Sequence, residues 1–219
     1  MSEKKIPQAL DWDHFWNREQ QTPESISWSK RRMIKVIEPY MKDSKTALDA
    51  GCGSGFFSKY FCDQGLQTTA LDFSQEALER TRQRTQSRTH IISYDLCQDG
   101  LSNHIPGGFD LIFTDGLLEH FPNDQQHKII NNLISVLPPK GVLVTFVPNR
   151  FSPWELIRPF FMPGIDETPF VLRHLICLQN DHRLTILQSG GINVLPFYVS
   201  HEFLGSWFGM LLYTAARKT

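Results

Sequence analysis

Residues 46–55 read TALDAGCGSG: a short apolar run ends in an acid, Asp49, and glycines follow at alternate positions, Gly51, Gly53 and Gly55, before an aromatic segment opens at Phe56. Glycine adopts positive φ readily and lets a ligand approach where a Cβ would block it. Cys52 lies inside the turn. Strand, tight turn and helix in that order hold a ligand against bare backbone, beside the amides that begin a helix. Further acids stand at comparable places. Asp72, followed by Phe73, lies at the end of TTALDF (68–73); Asp95, followed by Leu96, ends THIISYD (89–95); Asp115 ends FDLIFTD (109–115). The chain then runs through DGLLEHF (115–121), which carries Gly116, Glu119 and His120. An ionised carboxylate accepts stronger hydrogen bonds than a neutral group, and a histidine whose ordinary pKa is about 6.5 can take a proton near neutrality. Each residue also has a plainer use: Asp72 as a helix cap shared with Ser74, Asp95 as a turn former, Asp49 as a partner of turn amides, His120 as a cap of its segment.

The elements that must position these groups follow from periodicity. Residues 1–41 read as a helical amino-terminal cap, helical over 11–41, with Met33, Val36, Ile37, Tyr40 and Met41 on one face. Pro39 is expected to end that helix early. Trp12, Phe15, Trp16 and Trp28 precede the stripe and are suited to cover a pocket. Strands are expected at 46–50, 68–73, 89–95, 109–115 and 141–147. Helices are expected from Phe56 to Gly65, from Ser74 through the arginines, and from Asn123 or Asp124 to the LPPKG stop at 137–141. Alternating strand and helix predict a parallel sheet with helices on both faces, and a ligand at the carboxyl ends of the strands. Residues 148–180, rich in proline and aromatics, read as an insertion or lid on the substrate side. A helix at about 181–189 and an antiparallel edge hairpin from 192–200 and 210–217 complete the expectation of one domain over 1–219.

The dinucleotide pattern G-x-G-x-x-G would place its third glycine at position 56, where the chain has Phe56. D-x-G-x-G-x-G after a strand instead resembles motif I of the S-adenosylmethionine-dependent methyltransferases with the Rossmann-like fold (class I, small-molecule type). The similarity covers about residues 44–148. It implies an α/β fold with a seven-stranded, mostly parallel sheet, an antiparallel carboxyl-terminal edge hairpin and helices on both faces. It implies S-adenosyl-L-methionine as cofactor and S-adenosyl-L-homocysteine as product. Asp49, Gly51, Cys52, Gly53 and Gly55 then lie by the methionine half, Asp72 and Phe73 at the ribose, and Asp95 and Leu96 at the adenine. Asp115 and Gly116 border the cofactor. Glu119 and His120 match a Glu-His pair common beside the acceptor, which makes them the catalytic candidates.

Twenty-two Lys and Arg against 23 Asp and Glu give a net charge of −1, so no global field draws nucleic acid or an anionic membrane. The arginines 80, 82, 84 and 88 read as a solvated face. The four cysteines form no C-x-x-C pair and no zinc spacing, so no metal is expected and a reducing cytoplasm suits the thiols. MSEKKIPQAL lacks the apolar core of a signal peptide, and no run of about twenty apolar residues suggests a membrane span. The expected partner is a small-molecule methyl acceptor; an arginine of the insertion, Arg150, Arg158 or Arg173, is suited to clamp an anionic group on it. A nucleotide-dependent oxidoreductase and a non-catalytic S-adenosylmethionine-binding partner or sensor protein stand as alternatives. The acceptor's identity and the oligomeric state are not written in these patterns.

Overall fold

The computed structural model describes residues 9–18, 26–105, 107–156, 167–194 and 204–219. Two helices open it, α1 (Ala9–Arg18) and α2 (Trp28–Met41). Strand β1 (Thr46–Ala50) follows, then α3 (Phe56–Asp63), β2 (Gln67–Asp72), α4 (Gln75–Thr85), β3 (His90–Ser93), β4 (Leu111–Asp115), α5 (Asn123–Ser135) and β5 (Val142–Pro148). Helix α6 (Leu172–Asp181), β6 (Leu184–Ile192), the short α7 (Gly205–Phe208) and β7 (Leu211–Lys218) complete the order. The seven strands form one sheet in the order β3-β2-β1-β4-β5-β7-β6. Pairings among β1 to β5 are parallel, and β7 is antiparallel to both β5 and β6.

The central strands are apolar on both faces because helices cover both. Leu111 and Phe113 of β4 and Val142, Val144 and Phe146 of β5 pack with Met33 and Ile37 of α2 and Phe57 and Phe61 of α3. The alternate residues Ile112 and Leu143 pack on the opposite face against Ile129, Ile130 and Leu133 of α5 and Leu175 and Leu178 of α6. Two-residue alternation along the strand thus divides the core into two layers.

Several expectations need correction. The amino-terminal cap consists of two helices, not one, and Pro39 stays inside α2, which runs on to Met41. The backbone bond that Pro39 cannot make is offset by the burial of Ile37 and Met41 around it in the core. Helix α5 starts after Pro122 without a side-chain cap, so neither Asn123 nor Asp124 caps it. The carboxyl-terminal helix lies at 172–181, inside the expected insertion, and 184–192 is strand rather than helix. The antiparallel partner of β7 is therefore β6, while residues 195–203, which carry most of the expected strand 192–200, lie outside the described residues. Residues 157–166, including Arg158, are outside them as well.

Candidate functional site

The strand order reverses between β1 and β4, and open α/β sheets leave a crevice at the carboxyl ends of such a pair. A cavity of about 460 Å³ lies there, within the size range of small-ligand sites. Its floor is the turn after β1. Gly51, Gly53 and Gly55 have φ of 74°, 48° and 72°, a region that L side chains rarely adopt. The turn is tied down from two sides. The amides of Gly51 and Cys52 donate to the Leu71 carbonyl at 2.8 and 3.0 Å, and the Thr81 hydroxyl of α4 donates to the Gly53 carbonyl at 3.1 Å.

Acids from neighbouring strand tips surround the turn. The Asp72 carboxylate accepts from the Gly53 amide through Oδ2 and from the Ser74 amide through Oδ1, both at 3.0 Å. Burial raises its pKa, and these backbone bonds oppose that rise. The cap-like use of Asp72 is therefore real, but each oxygen keeps a second lone pair. Asp49 is 3% exposed, accepts from the Ser58 hydroxyl at 2.6 Å, and is pushed up to about 7 by desolvation. Asp115 is pushed up to about 6 by the same cause, with Lys30 of α2 opposing. Burial drives the Cys52 thiol far up, so Cys52 offers its backbone rather than a thiolate. Asp95 lies two residues past β3, and its Oδ1 accepts from the Cys97 amide at 2.9 Å.

Helix α1 forms the roof with Trp12, Phe15 and Trp16. A Cβ on Gly53 would sit 2.6 Å from the Trp16 ring, so that indole lies directly on bare backbone. The helix is held by Asp13, which accepts from the Ser74 hydroxyl at 2.5 Å and from the Glu76 amide at 3.2 Å. Ser74 in turn accepts from the Ala77 amide and caps α4. The Trp12 ring meets the His120 imidazole edge-on at 4.7 Å. Glu119 and His120 sit on a short 3-10 turn after β4, both buried and both lining the cavity.

Asp49, Gly51, Cys52, Gly53, Asp72, Phe73, Asp95, Leu96, Asp115, Gly116, Glu119 and His120 all line this one cavity. Gly55 does not. A Cβ there would lie 2.7 Å from the Thr81 Cα, so its bareness serves the approach of α4 to the turn rather than the ligand. Two charged lining residues were not singled out from the sequence: Lys30, and Glu167 within the expected insertion. Single charged residues on distant elements leave no spacing signal; a backbone bond from Thr168 to the Glu119 carbonyl, at 2.8 Å, brings Glu167 home. Of the arginines, Arg80, Arg82 and Arg88 pair with Glu76, Glu79 and Asp63 on the surface, as expected for a solvated face.

Residues 47–141 match the family model of a methyltransferase domain. The chain is 33% identical to a malonyl-[acyl-carrier protein] O-methyltransferase of Enterobacter lignolyticus over 128 residues, 58% of this chain and 48% of that protein. The chain spans about half the length of the curated relatives it matches. A methyltransferase from Anabaena variabilis superposes with a TM-score of 0.72 at 16% identity, over 100% of this chain and 99% of that one. The N-methyltransferase NodS of Bradyrhizobium japonicum, solved with S-adenosyl-L-homocysteine, gives 0.68 at 18% identity, over 94% and 98%. These likenesses fix the fold as that of the class I, Rossmann-like methyltransferases.

Proposed function

We propose that this chain, whose residues 47–141 match the family model of a methyltransferase domain, transfers a methyl group from S-adenosylmethionine to a small, largely apolar acceptor. The carrying observation is the charge of the cavity. Six carboxylate side chains line it (Asp49, Asp72, Asp95, Asp115, Glu119 and Glu167), while Lys30 is the one lysine or arginine among the described lining residues. Such a site suits a ligand with cationic groups and opposes the pyrophosphate of a dinucleotide. The same charge argues against a nucleic-acid substrate. Relatives named as ubiquinone biosynthesis O-methyltransferases support a small apolar acceptor, whereas another is named for a malonyl group on an acyl-carrier protein.

The residues fit the group. Asp72 accepts from the ribose hydroxyls, Asp95 faces the adenine amine, Phe73 and Leu96 supply apolar wall, and Asp49 and Asp115 face the ammonium. When bound, S-adenosylmethionine supplies a methyl on a positively charged sulfur, poised for an acceptor lone pair. Trp12, Phe15, Leu117 and Phe121 exclude water from the acceptor end, and holding reactants in place supplies about 7–11 kcal/mol in favourable cases. His120 takes the proton of a hydroxyl acceptor, with Glu119 beside it; helix α1 and the segment from 148 to 180 act as cap and lid of a single domain. The four cysteines are free thiols, which suits the cytoplasm, and no described helix is long and apolar enough to cross a membrane.

Titrations with S-adenosylmethionine, S-adenosylhomocysteine and NAD, side by side, test this reading. Heat with the first two and none with NAD is the expected result, and heat with NAD alone ends the proposal. Lys30 is assigned to the cofactor's carboxylate, the one anionic group that the acids around it would repel. Lys30→Met should therefore weaken S-adenosylmethionine about tenfold, the value of one modest charged hydrogen bond. The same variant should leave the affinity for decarboxylated S-adenosylmethionine unchanged; equal losses for both ligands would remove the assignment.

A further inference from the structure

At the acceptor end, one ligand atom from each of Glu119, His120 and Glu167 lies within 4.8 Å of the others. Two donors held about 2.1 Å from one ion are at most about 4.2 Å apart, so less than an ångström of side-chain adjustment brings all three onto a common centre. Glu119 is 2% exposed and His120 4%, whereas surface acids that merely share a neighbourhood stay in water.

The cluster is also built, not incidental. Glu119 and His120 are fixed by the 3-10 turn Leu118–His120, and Glu119 Oε1 lies within van der Waals reach of the Gly116 backbone. The His120 ring is oriented by the edge-on contact with Trp12. Glu167 arrives from another part of the chain, and its segment is pinned twice. The Thr168 amide donates to the Glu119 carbonyl at 2.8 Å, and the Phe170 amide donates to the Pro148 carbonyl at 2.9 Å. Backbone bonds therefore set the spacing of the two segments that carry these carboxylates.

We propose that Glu119, His120 and Glu167 form a site for a divalent cation that binds the acceptor's hydroxyl oxygen. Two carboxylate oxygens and one imidazole suit Mn²⁺ or Zn²⁺, and three protein ligands leave positions open toward the cavity. A hydroxyl on such an ion ionises far more easily than in water; its O–H bond breaks, the proton leaves to bulk water, and the oxygen keeps the electron pair. His120 then serves as a ligand, and the ion replaces it as the means of activating the hydroxyl. The chemical use of the ion rests on the methyl-transfer reading, while the binding of the ion does not.

Calorimetry and electron paramagnetic resonance with Mn²⁺, and calorimetry with Zn²⁺, test the site on the whole protein, alone and loaded with S-adenosylhomocysteine. One ion per chain is expected. Glu167→Gln should weaken it at least tenfold while weakening S-adenosylhomocysteine binding several-fold less than that, and Glu167→Asp should recover part of the loss of ion binding. Thermal melts of both variants establish that they fold. No ion bound by the loaded wild-type protein overturns the proposal. So does an ion whose affinity is unmoved by both Glu167→Gln and Glu119→Gln. Loss of S-adenosylhomocysteine binding in the wild type would strike the methyltransferase reading instead and leave the ion titration to be judged by itself.

Discussion

Asp72→Ala is expected to raise the dissociation constant for S-adenosylhomocysteine about 100-fold. On the proposed reading the variant loses two hydrogen bonds from ribose hydroxyls to an ionised acceptor, worth together roughly 3 kcal/mol at the low end of the range for charged partners. The loss is aggravated from below. The carboxylate also receives the amides of Gly53 and Ser74, so alanine leaves two buried donors unsatisfied and loosens the turn beneath the ligand. A buried donor without a partner costs about 1–3 kcal/mol, and the melting temperature should fall too. Calorimetry below that temperature separates the two effects. Affinity within threefold of wild type, in a folded variant, would remove Asp72 from the ribose.

The second large effect is on stability against pH. Asp49 titrates at about 7 in the folded protein against 3.8 for the ordinary group, because burial penalises its charge. Between those values the folded state holds a proton that the unfolded chain has released. Folding is therefore favoured most below pH 3.8, and that advantage is lost as pH rises through 7. The three-unit gap corresponds to about 4 kcal/mol at 1.36 kcal/mol per unit, and Asp115 acts in the same direction. Denaturant melts of the ligand-free protein from pH 4 to pH 8 should show the decline. Asp49→Asn keeps an acceptor for the Ser58 hydroxyl and should flatten the profile; an unchanged slope would refute the assignment. A cationic ligand beside Asp49 favours its ionised form, so binding at pH 6 should release protons, measurable as a dependence of the heat on buffer.

The turn and its acids were legible because their signals are local. Positive φ at three alternate positions demands glycine, and an acid at the end of an apolar run points out of the sheet's carboxyl edge. The second half was less so. LTILQSGGI looks like a helix stopped by glycines, yet it is an edge strand with a register shift between Ile186 and Gln188, so its alternation is broken. Gly191 is there for close passage: a Cβ on it would lie 2.1 Å from the Gly205 carbonyl, a contact between segments that no window of sequence contains. Lys30 and Glu167 were missed for a related reason, since tertiary folding alone gives them a common destination. Met33, Val36, Ile37 and Met41 of the α2 stripe are buried as expected, with Tyr40 only partly so, because a helix writes its buried face every three or four residues.

The position of β7 between β5 and β6 has a consequence for synthesis. A ribosome delivers β6 first, and among the described strands β6 has no partner but β7. Until residues 211–218 emerge, β5 presents a bare edge and β6 has nowhere to dock, although β1 to β5 can already assemble. A stalled nascent chain therefore exposes the apolar border of β5, Val142 to Pro148, to any passing strand. Chaperone capture of this protein is expected to peak while that border awaits its mate, and to end abruptly when the last strand slides between its two neighbours.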